Sequence, residues 1–398
     1  MGKHLTKPIT EKRSSGKLTD DFRWGATAMQ GWRVSMQNDH TCRTSLGNHK
    51  TFGIFIVCDG YGGSACATKT VREFPDFLSN HDHFPKTSEG EEYDPNQIKL
   101  AIVNAFLDFD KTLMNTPNAE TCGCTVTGVL TTPHHFFVFN LGDSRTVIQQ
   151  HGTITFATSD HKPFFHEERK RVMEAGGKVY RLRVNGRLAI SRALGNFAMK
   201  KNASLGPSKQ MVSPYPDVTI IDRTIDKDEF IAIFCNGISA RMTNNEVMRF
   251  CNTRVPYKLR LRDLCEELVD YCCHRDNMSK DNMSAIMLKF DKEKKAFEFD
   301  KVNQDEEFDK KIRIWTTEYV ERAFRNGKSA YGWQICFDKL NDLYRQAFFD
   351  KTELTQGYGI DLKKGVIFKE FDKLTTEIRD ERRAKAWETL SDPTTHNP

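Results

Sequence analysis

Through residues 21–300 apolar positions come in short runs, and each run is closed by Gly, Asp or Asn. FGIFIVCD (52–59), TVTGVLTT (125–132), HFFVFNLGD (135–143), RTVIQQ (145–150), FIAIFCN (230–236) and MSAIMLKF (283–290) are β-branched or aromatic and predict strands. Between them, apolar spacings of three and four predict helices over 96–114, 167–177, which ends in a Gly pair, and 258–275. Segment 143–154 reads as one arm of a hairpin with a tight Gly turn.

Beyond residue 300 the pattern changes. Phe308, Ile312, Trp315, Tyr319 and Ala323 recur at helical spacing, and 335–349 and 368–390 repeat the pattern. The chain therefore divides into a polar, basic arm over 1–20, a strand-rich α+β domain over 21–300, and a three-helix extension over 301–398.

Composition excludes some classes. No apolar run nears the ~20 residues a membrane span requires. The N-terminus lacks the apolar stretch of a secretory signal, so the expected setting is cytoplasmic and not secreted. The eleven Cys are odd in number and match no zinc spacing, and Cys58, Cys235 and Cys251 lie in apolar contexts; reduced, buried thiols are expected. A net charge of +5 is too mild and too scattered to point to nucleic acid.

Chemistry concentrates where predicted strands end, in DGYGG (59–63), LGDSR (141–145), SRALGN (191–196), CNG (235–237) and KDNMS (280–284). Carboxylates beside glycines suit a hard cation of the Mg²⁺ or Mn²⁺ type, although each motif alone is ordinary turn chemistry. Two of them echo each other: IFIVCDG ends in Asp59-Gly60 and IFCNG in Asn236-Gly237.

Their order resembles the metal-dependent serine/threonine protein phosphatases of type 2C. The matching stretches are MQGWRVSMQNDH, FIVCDGYGG, GCTVTGVLTT, FVFNLGDSRTVI, SDHKP, RVNGRLAISRALGNF, YPDV, FCNGISARMTNNEV and KDNMSAIML, so the resemblance covers about residues 1–290. It implies a central β-sandwich of two antiparallel sheets flanked by helices. It also implies a two-metal centre at one edge, where a metal-bridging water attacks phosphorus, with the dications ~3.5–4 Å apart. Carried over by motif, the metal-site residues retained are Asp59, Gly60 (through its carbonyl), Asp143 and Asp281, and Arg33 is the phosphate-gripping arginine. The tail resembles, in position and size, a helical extension found in some members.

The departures fall on the ligands. The family pattern places acids at 37, 38, 196 and 236, where this chain has Gln37, Asn38, Asn196 and Asn236; Tyr61 replaces a His and Ala240 a further acid. Amides keep the shape of the acids but bring no charge, and two close dications need that charge. Asp39 lies beside the vacant positions and would reach them only through a bulge.

The resemblance with these departures implies a pseudophosphatase that binds or scaffolds a protein partner, phosphorylated or acidic, with at most one Mg²⁺ or Mn²⁺ at a weakened site. Arg181, Arg183 and Arg187 either extend such a surface or form a solvated loop. The alternatives are an active Mg/Mn-dependent phosphatase with a rearranged metal centre, and a structural subunit docked through its helical extension. At the N-terminus, Gly2 fits the loose myristoylation pattern, with Lys3, Lys7, Lys12 and Arg13 as the second, electrostatic signal for membrane association.

Overall fold

The computed structural model describes residues 4–19, 21–86, 92–223, 228–254, 260–274 and 279–290. The apolar runs become strands buried on both faces, because successive side chains in a strand point to opposite sides. In β4 (Gly53–Tyr61), Ile54, Ile56 and Cys58 enter one core and Phe55 and Val57 another. In β13 (Asp228–Phe234), Ala232 and Phe234 separate in the same way from Ile231 and Ile233. In β14 (Met283–Phe290), Met283, Ala285 and Met287 part from Ile286, Leu288 and Phe290.

Two antiparallel sheets result. The first runs β1 (His4–Leu18), β2 (Phe22–Arg33), β14, β13, β7 (Arg145–Gln150), β8 (Thr153–Ala157). The second runs β12 (Asp217–Asp222), β6 (His135–Leu141), β5 (Gly123–Thr131), β4, β3 (Asp39–Arg43), with the short β11 (Leu194–Gly195) also on β5. Phe22, Trp24, Phe55, Phe136, Ile233 and Ile286 fill the space between them. Helices α1 (Ala65–Asn80) and α2 (Pro95–Thr112) cover the second sheet, and α5 (Asn244–Asn252) and α6 (Leu261–His274) cover the first. The helix, sheet, sheet, helix layering matches the sandwich expected from the sequence. No helix among the described residues is long and apolar enough to cross a membrane.

The basic N-terminal arm adds to the edge of the first sheet. Residues 4–18 form β1, an edge strand paired along β2, with two register shifts near Ile9. Its side chains are mostly exposed, so no apolar alternation marks it; Lys12 reaches Asp270 of α6 at 2.9 Å, and Ser14 bonds Thr27 across the pair at 2.8 Å. Charges and bulges are the usual protection of an open edge. Gly2 and the three-helix extension predicted over 301–398 lie outside the described residues. Among those described, ten Cys are thiols outside any disulfide, and nine of them are buried.

Two ion-pair clusters fix the loop that delivers Asn196. Buried Lys200 donates to both oxygens of Asp110 on α2 at 2.8 Å and to Ala193 O at 2.9 Å, while Asp110 also accepts the Gly195 N–H at 2.7 Å. On α3 (His166–Glu174), Glu168 accepts from Arg171 at 2.7 Å, from Arg192 at 2.7 and 2.9 Å, and from the Ser191 hydroxyl. Burial alone would raise Glu168, but the Arg192 hydrogen bond and the two guanidinium charges outweigh it and bring the carboxyl down to about 2.

Two expectations follow. Asp110→Ala strands a buried ammonium, so it is expected to lose about 3–5 kcal/mol in urea unfolding. Glu168 has a depressed folded value, so its contribution is complete above the unfolded carboxyl value. That contribution, roughly 3 kcal/mol, is lost as pH falls from about 4.5 through 2. Glu168→Gln is expected to flatten the acid side of a stability–pH curve in that window; an unchanged curve contradicts the assignment.

Candidate phosphate and metal-type site

The two echoing strand ends meet. Asp59, at the end of β4, lies near the backbone N–H of Asn236, the residue that opens the short helix α4 (Asn236–Ser239) just past β13, and that N–H favours the charged form of Asp59. The glycine after each has the same cause, and it is packing. A Cβ on Gly60 would stand 2.2 Å from Gln37 O, and one on Gly237 would stand 2.1 Å from Asn282 O. Asn282 ties these facing segments together: its Oδ1 accepts the Gln37 N–H at 2.8 Å, and its Nδ2 donates to Gln30 O at 2.8 Å and Ser35 O at 3.0 Å.

Around this frame the predicted residues assemble. Asp143, in the turn between β6 and β7, accepts from the Lys162 ammonium and from Asn236 Nδ2 at 3.1 Å. The turn is held by His161, whose Nδ1 accepts the Gly142 N–H at 2.9 Å and whose Nε2 therefore carries the proton shared with Asp217 at 3.1 Å. Asp281, just before β14, accepts both Nε (2.9 Å) and Nη2 of Arg33, which ends β2. Burial, then the charges of Asp143 and Asp281, hold Asp59 well above the usual carboxylate range, against the smaller pull of the Asn236 N–H and Arg33. Burial likewise raises Asp143, with Lys162 opposing.

The remaining positions divide. Asn38 is 4% exposed, and both polar atoms of its amide are buried without a hydrogen-bond partner among the described residues. Asn196, in a left-handed conformation (φ 58°), donates to Tyr61 Oη at 3.2 Å, and burial pushes the Tyr61 phenol up. Ala240 is exposed one helical turn after Asn236, bonding its carbonyl at 2.9 Å. Asp39 does not move into the vacant positions: β3 pairs with β4 without a bulge, and the Asp39 carboxylate is taken by Arg13 of β1 and the His40 N–H. Arg181, Arg183 and Arg187 stand on the exposed hairpin of β9 (Val179–Tyr180) and β10 (Arg183–Val184), where Arg183 bonds Arg187 O and Arg181 lies over the Tyr180 ring. Among the described residues, no three of His, Cys, Asp and Glu are grouped so as to hold a metal ion.

Two functional neighbours escaped the sequence reading. Lys162 lies in the SDHKP stretch and Asn282 in KDNMS, but nothing in their spacing shows that one compensates Asp143 and the other laces three segments together.

Comparison with known proteins agrees with the architecture. The family model described as Protein phosphatase 2C matches residues 22–283. Protein phosphatase 1B of Mus musculus is 34% identical over 335 residues, covering 82% of this chain and 85% of that protein. Protein phosphatase 1A of Bos taurus is 36% identical over 327 residues, covering 81% and 84%. A solved phosphatase from Toxoplasma gondii superposes with a TM-score of 0.57 at 21% identity, covering 71% of this chain and 96% of its own. A sex-determining protein of C. elegans gives 0.55 at 18%, covering 69% and 66%. The chain belongs to the protein phosphatase 2C family.

Proposed function

We propose that this chain is a pseudophosphatase: it keeps the family fold as a module that holds a phosphorylated or acidic segment of a protein partner, with two-metal hydrolysis lost. One observation carries the reading. Two of the carboxylates that remain are paired within the chain, Asp143 with Lys162 and the Asn236 amide and Asp281 with Arg33, which leaves Asp59 as the one the protein does not balance. An Asp at 236 would place an acceptor against Asp143, whereas the amide places a donor there. Gln37, Asn38, Asn196 and Asn236 together supply no charge, so the donor set does not fit two close dications.

The same changes favour an anion. Fewer acids repel it less, and Arg33, 38% exposed, leaves Nη1 without a partner among the described residues. A second reading, a phosphatase working with one Mg²⁺ or Mn²⁺, is favoured by Asp59. A half-buried carboxyl held above its usual range gains from a cation as well as from a proton. A structural subunit docked through the extension is a further alternative, and it rests on sequence, as does membrane association through an acylated Gly2.

Calorimetry with Mn²⁺ and turnover of a generic phosphopeptide separate the two readings. No saturable Mn²⁺ heat and no turnover above background are expected. Turnover within about a hundredfold of an ordinary family member overturns the first reading. Restoring Gln37→Glu, Asn38→Asp, Asn196→Asp and Asn236→Asp together is expected to create Mn²⁺ binding. Arg33→Ala is expected to weaken phosphopeptide binding by roughly tenfold or more, as loss of a charge-assisted pair does. Unchanged affinity removes Arg33 from the site.

A further inference from the structure

The two rows of side chains on β1 meet different surroundings. Lys12, Ser14 and Gly16 form the row that faces α6 and its neighbours. Lys12 Nζ reaches Asp270 at 2.9 Å, Ser14 Oγ bonds Thr27 Oγ1 at 2.8 Å, and a Cβ on Gly16 would stand 3.3 Å from that of Arg262. Arg13, Ser15 and Lys17 form the other row, and all three are exposed. Arg13 reaches the carboxylate of Asp39 on β3. Among the described residues, no hydrogen bond or ion pair engages the Ser15 hydroxyl or the Lys17 ammonium.

Sequence singles out the middle of that row. Lys12 and Arg13 stand three and two residues before Ser15, and no other Ser or Thr among the described residues has Lys or Arg at both places. An enzyme with an acidic substrate groove selects such a pattern by charge. It also needs an extended segment with the hydroxyl in the open. An edge strand supplies both, since it is extended and one row of its backbone groups has no partner strand.

We propose that Ser15 is a phosphorylation site for a basic-directed protein kinase, and that its phosphate draws Arg13 away from Asp39. The step balances. Ser15 Oγ attacks the γ-phosphorus of ATP, the bond from that phosphorus to the β–γ bridging oxygen breaks, ADP leaves, and the hydroxyl proton is released. Nothing is oxidised or reduced.

Alternate residues along a strand stand about 7 Å apart, so a phosphate on Ser15 has Arg13 on one side and Lys17 on the other. It brings about −1.5 to −2 charge and three strong acceptors, against the single charge of Asp39. The Arg13 side chain is 64% exposed and has room to swing, whereas Asp39 is 12% exposed and retains the His40 N–H at 2.9 Å. Asp39 adjoins Gln37 and Asn38, and the Gln37 carbonyl lies against Gly60. Phosphorylation therefore makes that wall of the pocket more negative, and an acidic occupant binds less well. This last step rests on the anion-binding reading of the pocket; the modification and the movement of Arg13 do not.

The test incubates the folded full-length chain with ATP and the catalytic subunit of cAMP-dependent protein kinase, a basic-directed enzyme, and maps phosphate by mass spectrometry. Ser15 is expected to be the first residue labelled. Ser15→Ala and Arg13→Ala are each expected to cut the initial rate at least about tenfold, the second through loss of a charge-assisted contact to the kinase. No labelling of the folded chain overturns the site. So does first labelling at Ser14, or at Ser45, which has Arg43 two residues before it. The Arg13 Nε resonance is expected to shift on phosphorylation, and an unmoved resonance overturns the exchange of partners. The phosphorylated chain is expected to bind a generic phosphopeptide about two- to fivefold more weakly, as repulsion between exposed charges implies. Equal affinity breaks the link to the pocket. Absence of binding by either form overturns the pocket reading, while mapping and the resonance still decide the site.

Discussion

Carboxylates at the edge of a sandwich cannot keep their charge without compensation. Asp59 and Asp143 sit where two apolar sheets close and burial raises both, while Asp281 stands at the more exposed rim beside Arg33. Everything notable about the pocket follows from how that compensation is made. For Asp143 and Asp281 it comes from within the chain: an ammonium and the Asn236 side-chain amide on the first, a guanidinium on the second. A carboxylate at 236 would remove one of these donors and add a fourth charge. Amide and acid are nearly the same size, so the change alters electrostatics while the packing of β13 against β14 and β7 is left alone.

The parts of the fold legible in the sequence are those with apolar side chains on both faces. β7 and β14 coincide with the runs read for them, residues 145–150 and 283–290, and β4, β5, β6 and β13 differ only at their ends. β1 is illegible for the opposite reason. It is an exposed edge whose pairing is specified by β2, so its polar, basic sequence reads as an arm. Short β3 and β11 are too brief for any periodicity to show.

The site was legible as a set of ordered motifs, and the structure brings Arg33, Asp59, Gly60, Asp143, Asn236 and Asp281 to one place. What the motifs did not reveal is which residues answer which. Lys162 is an ordinary lysine until Asp143 is seen beside it, and Arg13 becomes meaningful only because β1 lies along β2 and faces Asp39. Both are contacts between distant segments, set by topology. The paired glycines were legible as turns, yet their cause is the backbone of a facing segment, tied down by Asn282.

The cysteines meet the same constraint from the other side. A buried thiol stays protonated because burial raises it, and Cys42, Cys235, Cys251 and Cys265 follow that rule. Sulfur therefore fills space between the elements at no electrostatic cost, whereas each carboxylate beside the pocket brings a charge that some neighbour must answer.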